Sequence, residues 1–207
     1  MATVNNAAVY DCRLRLTAAV SRSGWGFALR LTVLLFFGVL LCSAQDSKPT
    51  ESQVKAAYLY NFGKFVTWPA DRAAASAVFQ ICVLGHDPFG SVLDSTVLGE
   101  SIDGKKITVQ RMTRIQDASG CSILFISSSE ESRLAAILPE AQRLHALTVS
   151  DIPHFAERGG TIGLVNHQDR IRFEVNRTMA EQCHLQLSSE LLKVAIRVIQ
   201  SKPAGTS

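Results

Sequence analysis

The sequence predicts an α/β fold: a three-layer sandwich, with a mostly parallel sheet, helices on both faces and a C-terminal antiparallel hairpin. Three observations predict it. Strand-like and helix-like segments alternate through the first two thirds of the chain. The runs FQICVL (79–84) and SILFI (122–126) lack polar alternation, so both faces of those strands need cover. Thr161 to Val165 and Arg170 to Val175 do alternate, around His167-Gln168-Asp169, which is a hairpin pattern.

The elements follow in order. Arg13, Arg15, Arg22 and Arg30 precede the apolar run Leu31 to Leu41, and Cys42-Ser43-Ala44 supplies small exit residues; residues 1–44 read as an export signal cleaved after about Ala44. The run is short of the about 20 apolar residues a membrane span needs. Residues 45–50 form a polar linker and 51–200 one domain, with a frayed tail over 201–207. Thr50-x-x-Gln53 is a capping box for a helix from about Glu51 to Trp68, stopped by Pro69. Val78 to Leu84 is a buried strand, Gly85 to Pro88 a turn, and Phe89 to Leu98 a helix. Lys106 to Met112 alternates as a half-buried strand, and Cys121 to Ile126 is buried again. Ser128-x-x-Glu131 starts a helix running to about Arg143, followed by a strand over Ala146 to Val149. After the hairpin, Asn176 caps a short helix and Ser188 caps a last one, Ser189 to Gln200.

Charge excludes one class of partner. The chain carries 21 Lys and Arg against 18 Asp and Glu; residues 1–44 hold four Arg and Asp11, which leaves 17 of each sign in the remainder. Nucleic acid, which needs clustered cations, is not expected as a partner. No GxGxxG, GxxxxGK[ST] or GxSxG is present, nor a CxxC or Cys/His cluster, and neither a cofactor nor a metal is expected. Of the five cysteines, Cys12 and Cys42 leave with the signal. Cys82 and Cys121 lie on strand-like segments and are equally readable as a bridge or as two buried thiols. Cys183 has no evident partner.

Candidate sites are few. The Gly85–Gly90 turn follows a strand, where ligands gather in open α/β sheets, and His86 with Asp87 would suit anion binding or proton transfer; a plain turn is the alternative. Asp151 and His154 are too weak a pair to name a hydrolase. The segment Thr148 to Gly160 starts at a strand end and finishes in a glycine pair. An exposed Phe155 flanked by Glu157 and Arg158 would suit recognition, and a Phe155 tucked into the core is the alternative. Arg172 and Glu174 share a polar strand face, solvated or used in binding. Tyr58, Tyr60, Phe62, Phe65 and Trp68 crowd the first helix. Val54, Ala57, Tyr58, Asn61 and Phe65 keep helical spacing beside a stripe of Leu59, Phe62 and Val66, so most of the arc should be buried. Tyr60 or Trp68 at its end remains available to a dimer or partner.

Six segments in this order and spacing, KAAYLYNFGKFVTWP, ICVLGHDPFG, CSILFIS, LTVSDIPHFAERGGTIGLV, RIRFEVN and LSSELLKVA, resemble the YfiR family of exported bacterial proteins. The resemblance covers about Ser52 to Val198. It implies a periplasmic repressor rather than an enzyme, acting on the periplasmic part of a membrane-bound diguanylate cyclase and so lowering cyclic-di-GMP and biofilm formation. It further implies sequestration by an outer-membrane lipoprotein, a homodimer and a Cys82–Cys121 disulfide. Some relatives carry a second cysteine pair where this chain has Ala156 and Gly163, and glycine is common where it has His154. The competing reading is a periplasmic small-ligand sensor or adaptor using the Gly85–Gly90 and Phe155–Gly160 loops.

Overall fold

The structure, a computed structural model, describes residues 48–70 and 76–200. The expected signal peptide, its cleavage site at Ala44, the first half of the linker and the tail lie outside the described residues. The elements are α1 (Glu51–Phe65), β1 (Val66–Thr67), β2 (Val78–Leu84), α2 (Ser91–Val97), β3 (Ser101–Ile102), β4 (Lys105–Met112), β5 (Ile123–Ile126), α3 (Leu134–Arg143), β6 (Leu147–Ser150), β7 (Ile162–His167), β8 (Arg170–Asn176), α4 (Arg177–Gln182), β9 (Gln186–Leu187), α5 (Ser189–Val194) and β10 (Arg197–Ile199). Short 3-10 helices cover Ile115–Ala118 and Ser128–Arg133.

Eight strands form one sheet in the order β10-β8-β7-β6-β5-β2-β4-β3. The pairs β4/β2, β2/β5, β5/β6 and β6/β7 are parallel, whereas β7/β8 and β3/β4 are antiparallel. The mostly parallel sandwich with its antiparallel C-terminal hairpin is therefore the architecture the sequence predicts. Side-chain alternation sorts each central strand into two cores. Ile81, Val83, Ile123 and Phe125 face α1 and α2, while Cys82, Leu84, Leu124 and Ile126 face α3 and the 3-10 helices. Runs without polar alternation are what a strand buried on both faces requires.

Local chemistry sets most boundaries. Thr50 Oγ1 accepts from the Gln53 amide (3.3 Å), and Gln53 Oε1 accepts from the Thr50 amide (2.8 Å), which closes the capping box. Asn176 and Ser188 cap α4 and α5 as expected. The hairpin turns on Gln168 and Asp169, at φ 52° and 55°, a primed two-residue turn built without glycine.

Three expectations are corrected. α1 ends at Phe65 rather than Trp68, because Val66 and Thr67 pair with Leu187 and Gln186 as β1. The cap before α3 is Ser127, not Ser128, and it opens a 3-10 helix instead of the α-helix. The last helix stops at Val194: the Ile196 amide donates to the Phe173 carbonyl (3.0 Å), and the chain continues as β10 beside β8.

The aromatic crowd is resolved by packing. The buried stripe of α1 is Lys55, Ala56, Leu59, Phe62 and Gly63, and Phe65 is 39% exposed. Tyr58, Phe62 and Phe173 form a triangle with centroids 5.1–5.6 Å apart. Trp68 is buried, stacks edge-on against Phe79 at 5.0 Å and donates through Nε1 to the Ser122 carbonyl (3.1 Å). The expectation of an accessible Trp68 is thereby corrected: the indole N–H finds its acceptor inside the fold.

Candidate functional site

Asp151, Phe155, Glu157 and Arg158 lie on the segment that follows β6, and Glu174 joins it through Arg197, whereas Tyr60 and Trp68 lie elsewhere. Ser150 Oγ donates to the Ile126 carbonyl (2.6 Å) and accepts from the Ile152 amide (3.0 Å), anchoring the start of this loop to β5. Asp151 reaches back to α1, where Lys55 Nζ lies 2.5 Å from its Oδ2 and 2.5 Å from Glu51 Oε1. The Lys55 side chain is 8% exposed. Burial opposes its ammonium, but the hydrogen bonds and charges of Asp151 and Glu51 outweigh that and hold its pKa above the ordinary lysine value. Asp151 Oδ1 is buried and has no hydrogen-bond partner.

Phe155 does not project for recognition. It is 1% exposed, within the core under α3. Its ring explains the glycine after it, since a Cβ on Gly160 would overlap the Phe155 ring. Of the glycine pair, Gly159 takes φ 100°. Gly160 is required for space alone. His154 is left-handed at φ 58°, a backbone that favours glycine. Ala156 and Gly163 do face one another: a Cβ on Gly163 would stand 3.7 Å from that of Ala156.

The charged members form a rim on the sheet face opposite α1. Arg172 and Glu174 fall there because Phe173 and Val175, alternating with them, pack into the core that includes α1. Arg197 of β10 bridges the loop and the sheet, with Nη1 2.5 Å from Glu157 Oε1 and 3.6 Å from Glu174 Oε1. Hydrogen bonding to Arg197 holds the Glu157 carboxyl below the usual range. Arg158 bonds Glu131 (2.7 Å), tying the loop to the 3-10 helix before α3. Sequence reasoning missed Arg197, whose position on an expected helix hid its strand pairing with β8. Tyr60 stands apart on α1, its hydroxyl bonded to Glu100 and its ring under Lys64 Nζ at 3.9 Å from the centroid.

The Gly85–Gly90 turn is structural. Asp87 Oδ1 accepts from the Phe89 amide (2.7 Å), Oδ2 accepts from Arg111 Nε (2.6 Å), and Arg111 continues to Asp94 and the Gly90 carbonyl. Both oxygens of the carboxylate thus hold the turn and pin Arg111. Gly85 at φ 90° packs against Ser129 and Glu130, and Ser129 Oγ accepts from the His86 amide (2.9 Å). The Cys82–Cys121 disulfide is formed, with Cα atoms 5.8 Å apart, on the α3 side of the sheet.

A family model described as YfiR/HmsC-like matches residues 52–196. The chain belongs to the YfiR/HmsC-like family. Membership supports a periplasmic, regulatory role in cyclic-di-GMP signalling. No curated protein matches the chain. Among solved structures, a conserved domain protein from Vibrio cholerae O1 biovar El Tor aligns at TM-score 0.50 and 12% identity, covering 73% of this chain and 61% of that one. The ABC domain in complex with L-Trp from Streptococcus pneumonia aligns at TM-score 0.47 and 10% identity, covering 72% and 60%. The chain spans about three fifths of the length of these structures, and the first shares its fold alone. No helix among the described residues is long and apolar enough to cross a membrane.

Proposed function

We propose that this YfiR/HmsC-like protein is a periplasmic repressor that docks on the periplasmic part of a membrane-bound diguanylate cyclase and holds cyclic-di-GMP synthesis down. The observation that carries the reading is the family match over 52–196. The structure supplies a surface suited to it: Glu157, Arg158, Arg172, Glu174 and Arg197, held on a sheet edge by a disulfide-stapled core. Charged groups across an interface set specificity and encounter rate more than raw affinity. A repressor that must also be released, by an outer-membrane lipoprotein in this reading, is served by such a rim.

The homodimer belongs to the same proposal. Phe65, Val194, Ile196 and Val198 are 39%, 63%, 42% and 40% exposed, and the last two flank or lie on β10, an edge strand of the sheet. Apolar side chains beside an open strand edge favour self-association.

The test expresses the protein with its matching cyclase and measures cyclic-di-GMP. The level falls with the wild type, and Glu157→Arg with Arg158→Glu abolishes the fall while the protein stays exported and folded. An unchanged cyclic-di-GMP level, with the protein verified in the periplasm, refutes the proposal.

A further inference from the structure

Two helices end on the same device. At the end of α3 the His145 amide donates to the Gln142 carbonyl (2.9 Å) and the Ala146 amide to the Ala141 carbonyl (3.4 Å). At the end of α4 the His184 amide donates to the Glu181 carbonyl (3.0 Å) and the Leu185 amide to the Ala180 carbonyl (2.8 Å). Both are Schellman motifs, in which the residue after the C-cap turns left-handed and is usually glycine. Here it is histidine both times, at φ 49° and 57°. An L side chain is disfavoured at such a position relative to glycine.

These two disfavoured side chains lie against one another. The imidazole centroids are 5.2 Å apart with planes at 50°. His145 Nδ1 stands 3.1 Å from the Cys183 carbonyl oxygen. A carbonyl only accepts, so Nδ1 carries the proton of the neutral ring and Nε2 keeps its lone pair. A backbone carbonyl holding one ring nitrogen is the usual way a ligating histidine is oriented. Two imidazoles on one tetrahedral ion, at metal–nitrogen distances of about 2.0–2.1 Å, have centroids on the order of 5 Å apart.

We propose that His145 and His184 form a two-histidine site for an imidazole-seeking divalent transition-metal ion, of which Cu2+ and Zn2+ are the probes. Imidazole suits these ions, and among them Cu2+ binds a given nitrogen site most tightly. The neighbouring Glu181 is engaged with Arg177 (2.9 Å), and the Cys183 side chain is buried in the core. Among the described residues no set of three or more His, Cys, Asp or Glu is placed to hold a metal. Water completes the coordination, and the site exchanges its ion freely. The inference does not depend on the repressor reading.

Untagged protein is titrated with Cu2+ and with Zn2+ by calorimetry, and the Cu2+ form is examined by electron paramagnetic resonance. The expected result is one ion per chain, a spectrum showing two imidazole nitrogens, and at least about tenfold weaker binding in both His145→Gly and His184→Gly. Glycine is the residue these turns favour, so the metal-free melting temperatures of both variants stay at or above the wild type. Asparagine, which also accepts the left-handed turn, gives the same loss in His145→Asn and His184→Asn. His167→Ala leaves binding unchanged. No uptake at metal concentrations on the order of 1 mM overturns the proposal, as does a loss below tenfold in any of the four variants.

Discussion

Reducing the Cys82–Cys121 bridge isolates what it contributes, because the two thiols keep nearly the volume of the disulfide. The bridge spans 39 residues of sequence and both cysteines are 0% exposed. In the chain-entropy model a loop of this size removes about 13 cal/mol/K from the unfolded ensemble, or about 4 kcal/mol at 25 °C. Domains of this size unfold with about 5–15 kcal/mol, so the loss is a large share of the total. Urea unfolding of oxidised and fully reduced protein measures it directly. The reduced form should lose about 4 kcal/mol and melt about 8–16 °C lower. Its m-value should rise, because an uncrosslinked chain exposes more surface when unfolded. Cys82→Ala/Cys121→Ala should lose roughly 1–2 kcal/mol more, for the voids left in the α3-side core. A difference under about 1 kcal/mol between oxidised and reduced protein, with equal m-values, refutes the entropic account.

Lys55→Met removes a buried cation from Asp151, which is itself 20% exposed, and should cost about 3 kcal/mol by chemical denaturation; Lys55→Met/Asp151→Leu should recover part of that in a double-mutant cycle. Because the folded pKa of Lys55 is raised, its contribution is fully present below the ordinary value of 10.5 and is lost as pH rises through the folded value; stability measured from pH 6 to 9 should show no loss from this group. Gly160→Ala should lower the unfolding free energy measured in urea by about 1–3 kcal/mol, since its methyl meets the Phe155 ring, which is 1% exposed. Ala156→Cys/Gly163→Cys should oxidise spontaneously, seen as the loss of two titratable thiols, because the two Cβ atoms would stand 3.7 Å apart.

Much of the sheet was legible because its central strands are buried on both faces. FQICVL and SILFI had to be covered by helices, and the register of Ile81 with Ile123 and of Cys82 with Leu124 sorts them into the two cores. Thr50, Asn176 and Ser188 announced their helices through local hydrogen bonds that require no distant partner. The candidate site was legible only in part. Glu157 and Glu174 belong to separate segments, and the Arg197 that joins them lies where local pattern indicates a helix. Phe155 and Trp68 are exposed or buried according to what α3 and Phe79 bring over them, which no local pattern encodes.

By itself, the amino-acid order determined the central strands and most of the helices, where the main caps fall, and the family to which they add up. Only the tertiary structure decided that Val66, Gln186 and Arg197 become strand residues, that Lys55 meets Asp151, and that two glycine-type turns bring His145 against His184. The reason is the range of the interactions. Periodicity and capping act within a few residues and are written along the chain. Two-residue strands, an ion pair 96 residues apart and a ring contact between two helix ends exist only once the sheet has set those segments side by side.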